Sequence, residues 1–195
     1  MKAIILDMYG VIMKETGDGF VPYVRGFFPD LSPETIYGIW DKADVGELPS
    51  AEVFRQLGFT GDLKKVEREY LDTLEINQAF YEFASQMKKN HKLALITNDS
   101  REWSRYLRDK FGLDAYFDAI SVSGELKMKK PDQRIFAHTI KNLGCSPEDC
   151  AYVDDRRFNV TAAQSLGMRA VLFNSRNVEY EGISVRDFGE LARQF

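Results

Sequence analysis

Ala3-Ile4-Ile5-Leu6-Asp7-Met8-Tyr9-Gly10-Val11-Ile12 is the stretch from which the rest of the chain takes its order. Four apolar residues run straight into a carboxylate, and a glycine three positions later lets the backbone turn sharply. An uninterrupted apolar run ended by a turn signal predicts a strand buried on both faces, as in a parallel sheet. A buried parallel strand ending in Asp sets that acid at the carboxyl edge of the sheet, where open α/β folds bind ligands. Taken alone, the stretch also fits an Asp7 that only caps a turn. The downstream sequence decides between the two.

From Lys14 to about Glu75 the chain carries helix signals and no strand pattern. Ser32-Pro33-Glu34 supplies an N-cap with Pro at the first helical position, and Ile36, Ile39 and Trp40 follow at helical spacing. Pro49-Ser50 starts a second helix with Val53, Phe54 and Leu57 on one side and Gly58 as its stop; Asp62 caps a third with Val66, Tyr70, Leu71 and Leu74. Beyond this segment helix and strand alternate. A helix through Ala79, Phe80, Phe83, Ala84 and Met87 precedes the strand Lys92–Ile96. Thr97-Asn98-Asp99-Ser100 opens a helix with Trp103, Tyr106 and Leu107. Phe117–Ser121 is a short strand, and Lys130-Pro131-Asp132 precedes a helix with Ile135, Phe136, Ile140 and Leu143. Ala151–Val153 is a strand ending in Asp154-Asp155. A helix through Val160, Ala163 and Leu166 then stops at Gly167, before the strand Arg169–Phe173. Such alternation implies a parallel sheet with helices on both faces. The expected architecture is an α/β, Rossmann-like core of residues 1–13 and 79–195, with a small all-helical cap of residues 14–78 inserted after the first strand.

Composition narrows the partner. Apolar residues make up 44% of the 195 and charged residues 29%, the balance of an ordinary globular protein. A net charge of -4, with both signs interspersed, argues against a nucleic-acid surface, and no apolar run approaches the ~20 residues that span a bilayer. The N-terminus reads as a strand rather than an export signal, and Cys145 and Cys150 match no metal or disulfide pattern, so a cytoplasmic protein with reduced thiols is expected. The partner expected is a small molecule.

Three strand ends offer polar groups: Asp7, Thr97-Asn98 and Asp154-Asp155. Lys130 heads a helix in a loop that should open on the same edge. Converging carboxylates repel in low dielectric and usually share a cation. Hard oxygen ligands of this kind suit Mg²⁺, which leaves room for a substrate phosphate. A nearby Lys and a Thr hydroxyl would hold phosphate oxygens.

These segments resemble, in order, the four motifs of the haloacid dehalogenase (HAD) superfamily of hydrolases. Leu6–Val11 is similar to the first, Ile96-Thr97-Asn98 to the second and Lys130-Pro131-Asp132 to the third. Tyr152–Arg156, with Asn159, Ala162-Ala163 and Gly167-Met168, is similar to the fourth. The resemblance implies a Rossmann-like core with a helical cap after the first strand. It makes Asp7 the nucleophile that attacks phosphorus, and Tyr9 the donor of a backbone carbonyl to Mg²⁺. Thr97 would bind the transferring phosphoryl group beside Asn98, and Lys130 would neutralise charge on Asp7 and the phosphate. Asp154 would be the second metal carboxylate, with Asp155 as ligand or supporting partner.

One position departs from the pattern. Family phosphatases mostly carry a second Asp, the general acid/base, where this chain has Tyr9; losing a positioned acid/base typically costs about 10²–10⁴-fold in rate. Tyr followed by Gly is similar to the dehalogenases themselves, whose halide leaves without a proton. A metal-free 2-haloacid dehalogenase is therefore the rival enzyme, and a catalytically weak binding or regulatory member the third reading. Dehalogenases carry Ser and Asn in place of Asp154-Asp155, and hold halide with a cap Arg after an aromatic residue. Here Trp40 is followed by Asp41, and only an offset alignment brings Arg25 to that role. The expectation is thus a Mg²⁺-dependent hydrolase of small phosphate esters, sugar phosphates or nucleotides by default, working through an aspartyl-phosphate on Asp7. His91 and His138 match no catalytic position, Lys127 and Lys129 read as solvated loop, and Asp99 and Ser100 as helix caps.

Overall fold

A computed structural model describes residues 1–14, 16 and 18–195. Six strands form one sheet: β1 (Ala3–Leu6), β2 (Lys92–Thr97), β3 (Ala119–Val122), β4 (Cys150–Asp154), β5 (Arg169–Phe173) and β6 (Ser184–Val185). Their order is β3-β2-β1-β4-β5-β6, and every pairing is parallel. β1 lies in the interior of the sheet, which is why all four of its residues are buried and apolar. Register sets Leu6 beside Leu95 on one side and Val153 on the other, so Asp7 and Asp154 emerge level with each other at the carboxyl edge.

Side chains alternate between two apolar layers, as the strand period of two requires. Ala3, Ile5, Ala94, Ile96, Tyr152 and Leu172 meet α8 (Gln133–Leu143) and α9 (Arg157–Ser165). Ile4, Leu6, Leu93, Leu95, Val153 and Val171 face the layer that holds α5 (Ala79–Met87), α6 (Arg101–Phe111) and α10 (Phe188–Ala192). The short α7 (Ser123–Leu126) follows β3 directly. Among the described residues, no helix is long and apolar enough to cross a membrane.

Four helices intervene between β1 and α5: α1 (Phe20–Phe27), α2 (Pro33–Asp44), α3 (Ser50–Gln56) and α4 (Leu63–Asp72). The expected caps are present. Ser32 accepts a hydrogen bond from the Thr35 amide, and Asp62 accepts one from Lys65. The chain enters and leaves this insertion through two paired segments. The Lys14 amide donates to the Glu75 carbonyl at 2.9 Å, and the Asn77 amide to the Ile12 carbonyl at 2.8 Å. The described apolar residues of the insertion share one cluster with the sheet side. Phe20, Trp40, Phe54 and Tyr70 gather around Trp103 of α6, with ring centroids 5.2, 5.9, 6.0 and 5.3 Å from it. The Trp103 indole N–H also donates to Glu67 of α4 at 2.5 Å.

Some boundaries differ from the sequence reading. The strand expected at Phe117–Ser121 runs Ala119–Val122, because a 3₁₀ turn over Leu113–Tyr116 precedes it. α1, α7, β6 and α10 had no distinct pattern in the sequence. α1 lacks a side-chain cap and contains Pro22 and Gly26, and β6 is a two-residue edge strand.

Candidate functional site

The carboxyl edge brings the polar strand ends together. The Asp7 amide makes the last ladder bond, to the Val153 carbonyl at 2.9 Å, and the Met8 amide donates to Asp7 Oδ1 at 2.6 Å. The chain then turns at Gly10, whose φ of +75° is left-handed; a Cβ there would lie 2.6 Å from the Asp155 carboxylate carbon. Glycine is required at this point both for the turn and for the approach to Asp155.

Lys130 reaches into the edge from the loop before α8. Its ammonium lies 2.5 Å from Asp7 Oδ1 and donates to Asp154 Oδ2 at 3.0 Å and to the Ile96 carbonyl at 3.1 Å. Asn98 fixes this loop in both directions: its Nδ2 donates to the Lys130 carbonyl at 2.9 Å, and its Oδ1 accepts from the Lys130 amide at 2.8 Å. Asp154 is engaged through both oxygens. Besides Lys130 it accepts from the Tyr152 hydroxyl, from Asn159 Nδ2 at 3.0 Å and from the Arg156 amide at 2.8 Å. Asp155 meets Arg176 Nε at 2.5 Å through Oδ2, while its buried Oδ1 has no partner among the described residues. The Thr97 hydroxyl is likewise buried and unpartnered. Oxygens of Asp7, Asp154 and Asp155 all lie within 4.8 Å of one another, a set of hard donors that fits a divalent cation.

Charge at this edge is finely opposed. Burial, then Asp154, push the Asp7 carboxyl well above the usual carboxylate range, against the pull of Lys130. Burial also works against a charged Lys130, yet Asp154 and Asp7 outweigh it and hold the ammonium above the ordinary lysine value. Burial and Asp154 push Asp155 up to about 6, with Arg176 opposing. A cation among the three carboxylates would oppose the upward shifts of Asp7 and Asp155.

Above the edge lies a cavity of about 320 Å³. Asp7, Tyr9, Asn98, Lys130 and Asp155 line it from the sheet side; Thr97 and Asp154 lie outside the lining, both fully buried. The insertion contributes Tyr37, Trp40, Asp41 and Asp44, all on α2, and Phe158 stands at the start of α9. Asp41 pairs with Lys129 at 2.6 Å, so Lys129 is a wall residue rather than solvated loop. Arg25, the offset candidate for a halide site, donates to the Pro29 carbonyl and is absent from the lining.

Tyr9 and Asp99 form a pair that the sequence did not disclose. The Tyr9 hydroxyl donates to Asp99 Oδ2 at 3.1 Å, and both side chains are buried. Burial and Asp99 hold the Tyr9 phenol well above its usual range; burial and Asp44 do the same to the Asp99 carboxyl. Ser100 alone caps α6, accepting from the Trp103 amide at 3.2 Å. Two further residues escaped the sequence reading. Arg176, in the loop after β5, bridges Asp155 to Asp18 at 2.5 Å and to the Thr16 carbonyl at 2.7 Å; no motif marks it. Asp44 was detectable in principle, because Ile36, Trp40, Ala43 and Asp44 share the buried stripe of α2.

The family model described as haloacid dehalogenase-like hydrolase matches residues 1–167. The drimenol cyclase of Aspergillus calidoustus is 28% identical over 91% of this chain and 35% of its own length. The sesquiterpene phosphatase of Aspergillus oryzae is 27% identical over 86% of this chain and 87% of its own. The chain spans 35 to 42% of the length of the curated relatives it matches first. Two solved structures share the fold. The HAD phosphatase of Thermococcus onnurineus has a TM-score of 0.80 at 22% identity, covering 100% of this chain and 97% of that one. The L-2-haloacid dehalogenase of Xanthobacter autotrophicus has a TM-score of 0.70 at 17% identity, covering 99% and 97%. With four polar segments converging on one sheet edge and a family model matched along most of its length, the chain belongs to the haloacid dehalogenase-like hydrolases.

Proposed function

We propose that the protein hydrolyses small phosphate monoesters through an aspartyl-phosphate on Asp7. The observation that carries this reading is the pairing of Asp7 with the Lys130 ammonium at the floor of a cavity, beside two further buried carboxylates. Asp7 forms the new bond to phosphorus, and water later releases phosphate from it. Lys130 holds Asp7 in place and balances the charge of the transferring group, and we assign the buried Thr97 hydroxyl, without a partner among the described residues, to a phosphoryl oxygen. Asp7, Asp154, Asp155 and the Tyr9 backbone carbonyl would hold Mg²⁺. The metal would supply charge neutralisation of the phosphate. Asn98 serves by fixing the Lys130 loop. Residues 14–78 act as a cap that supplies the far wall and limits water at the reacting centre.

The organic part of the ester lies against Tyr37, Trp40 and Phe158. That aromatic rim, together with a relative named a sesquiterpene phosphatase that matches along most of this chain, favours a hydrocarbon-rich alcohol over a sugar. A haloacid substrate is disfavoured, because Asp41, Asp44 and Asp155 line the cavity and Arg25 does not.

The test is a panel of phosphate monoesters assayed with Mg²⁺ and with chelator, beside halide release from 2-chloropropionate. Phosphate release that requires Mg²⁺ and vanishes in Asp7→Asn is the expected result. Halide release indifferent to chelator overturns the proposal.

A further inference from the structure

We infer that Asp44, carried to the cavity by α2, is the catalytic residue that delivers a proton to the leaving group and later accepts one from water. The inference rests on the phosphoester reading above. An alcohol is a poor leaving group unless protonated as its bond to phosphorus breaks. Tyr9 holds the position beside the nucleophile, but its hydroxyl already donates to Asp99. The proton must come from elsewhere.

Four carboxylates line the cavity among the described residues. Asp7 is bound to Lys130, Asp41 to Lys129 and Asp155 to Arg176. Among the described residues Asp44 has no such cation. It is 8% exposed, and its buried Oδ1 has no hydrogen-bond partner among the described residues. A buried, unpartnered carboxyl is costly and needs a reason for its place. Its neighbours explain its behaviour. Burial and Asp41 disfavour its charged form, while Lys129, Arg156 and Lys130 favour it, and the balance leaves the carboxyl at about 7. Asp44 in turn raises the titrations of Tyr9 and Asp99. A group poised near neutrality serves both halves of a two-step hydrolysis.

The backbone that carries Asp44 is held against the sheet side. A Cβ on Gly46, two residues on, would lie 2.3 Å from the Gly124 carbonyl oxygen, and φ there is +69°. Lys129 and Asp41 tie the preceding turn of the helix. In the first step Asp7 forms its bond to phosphorus as the ester P–O bond breaks, and the leaving oxygen takes the Asp44 proton. In the second, water attacks phosphorus, Asp44 carboxylate takes the water proton, and the Asp7–phosphorus bond breaks to release phosphate.

The test compares kcat/KM for p-nitrophenyl phosphate, whose phenolate leaves unprotonated, with that for a straight-chain alkyl phosphate. Asp44→Asn should lose on the order of 10²-fold on the alkyl ester and stay within about threefold on the aryl ester. Equal losses on both, or none on the alkyl ester, overturn the inference. Should the variant not fold, a series of aryl and alkyl phosphates on the wild-type protein decides: weak dependence on leaving-group acidity supports Asp44, and a steep fall with rising alcohol pKa refutes it. Wild-type protein inert on every ester would defeat the phosphoester reading itself, and this inference with it.

Discussion

Replacing Lys130 by Met removes the ammonium that lies 2.5 Å from Asp7 and 3.0 Å from Asp154, leaving two carboxylates buried side by side. Deleting one partner of a buried ion pair typically costs about 3–5 kcal/mol. The penalty carries a pH signature. Asp7 already has a raised folded value, so it binds a proton more readily folded than unfolded, and that contribution declines as pH climbs from the unfolded carboxylate value of about 3.9. Without Lys130 the folded value rises further, and the decline extends to higher pH. Lys130 itself has a raised value, so its stabilisation is fully present below the unfolded lysine value and is lost only at high pH. Between pH 8 and pH 5 one retained proton is worth at most about 4 kcal/mol, three units at about 1.36 each. Urea denaturation should therefore show a deficit of about 3–5 kcal/mol at pH 8 that shrinks markedly at pH 5. Melting at pH 8 should fall by roughly 6–20 °C. Wild-type stability at pH 8, or a deficit unchanged at pH 5, would refute the charge balance described for this edge.

Gly10→Ala should cost about 2 kcal/mol or more, from a left-handed φ and a Cβ forced against Asp155; an unchanged urea midpoint would contradict that geometry. Tyr9→Phe should cost about 1–3 kcal/mol by stripping buried Asp99 of its donor, yet leave kcat/KM on an alkyl phosphate within about threefold. A large selective loss on that ester would return the acid role to Tyr9.

The elements legible in the sequence are those set by local physics. The apolar run of β1, the caps Ser32, Asp62 and Ser100, and the alternation after Ala79 each follow from a pattern within one element. Strand ends carry polar residues because the edge is where a buried strand stops being buried, and this brought Asp7, Thr97 and Asp154 to notice. What stayed hidden depends on contacts between distant segments. Arg176 meets Asp155 from 21 residues away and Asp18 from 158, and nothing around it in the chain announces either partner. Tyr9 and Asp99, 90 residues apart, are intelligible only as a pair. Asp44 lies between these cases. Its place on the Ile36–Trp40–Ala43 stripe was readable, and an acid on an apolar stripe marks either a misplaced helix face or a site.

The insertion and the sheet share one aromatic cluster, and this has a consequence for the chemistry. Each edge-on or tilted contact of the Trp103 group contributes about 0.5–1.5 kcal/mol beyond its burial, and the Phe20, Trp40, Phe54 and Tyr70 rings all converge there. Trp40 also lines the cavity, one helical turn before Asp44. The ring that packs α2 against α6 thus also holds Asp44, one turn on, at the cavity. Ion pairs brace the same junction from both flanks: Asp41 with Lys129, and Asp18 with Arg176 and Arg156. Partly exposed pairs of this kind contribute little stability singly, so their effect is on position rather than on folding. The cavity draws its lining from α2 and from the sheet edge, so its shape holds only when the two are docked. Docking here is written into the hydrophobic cluster rather than left to substrate.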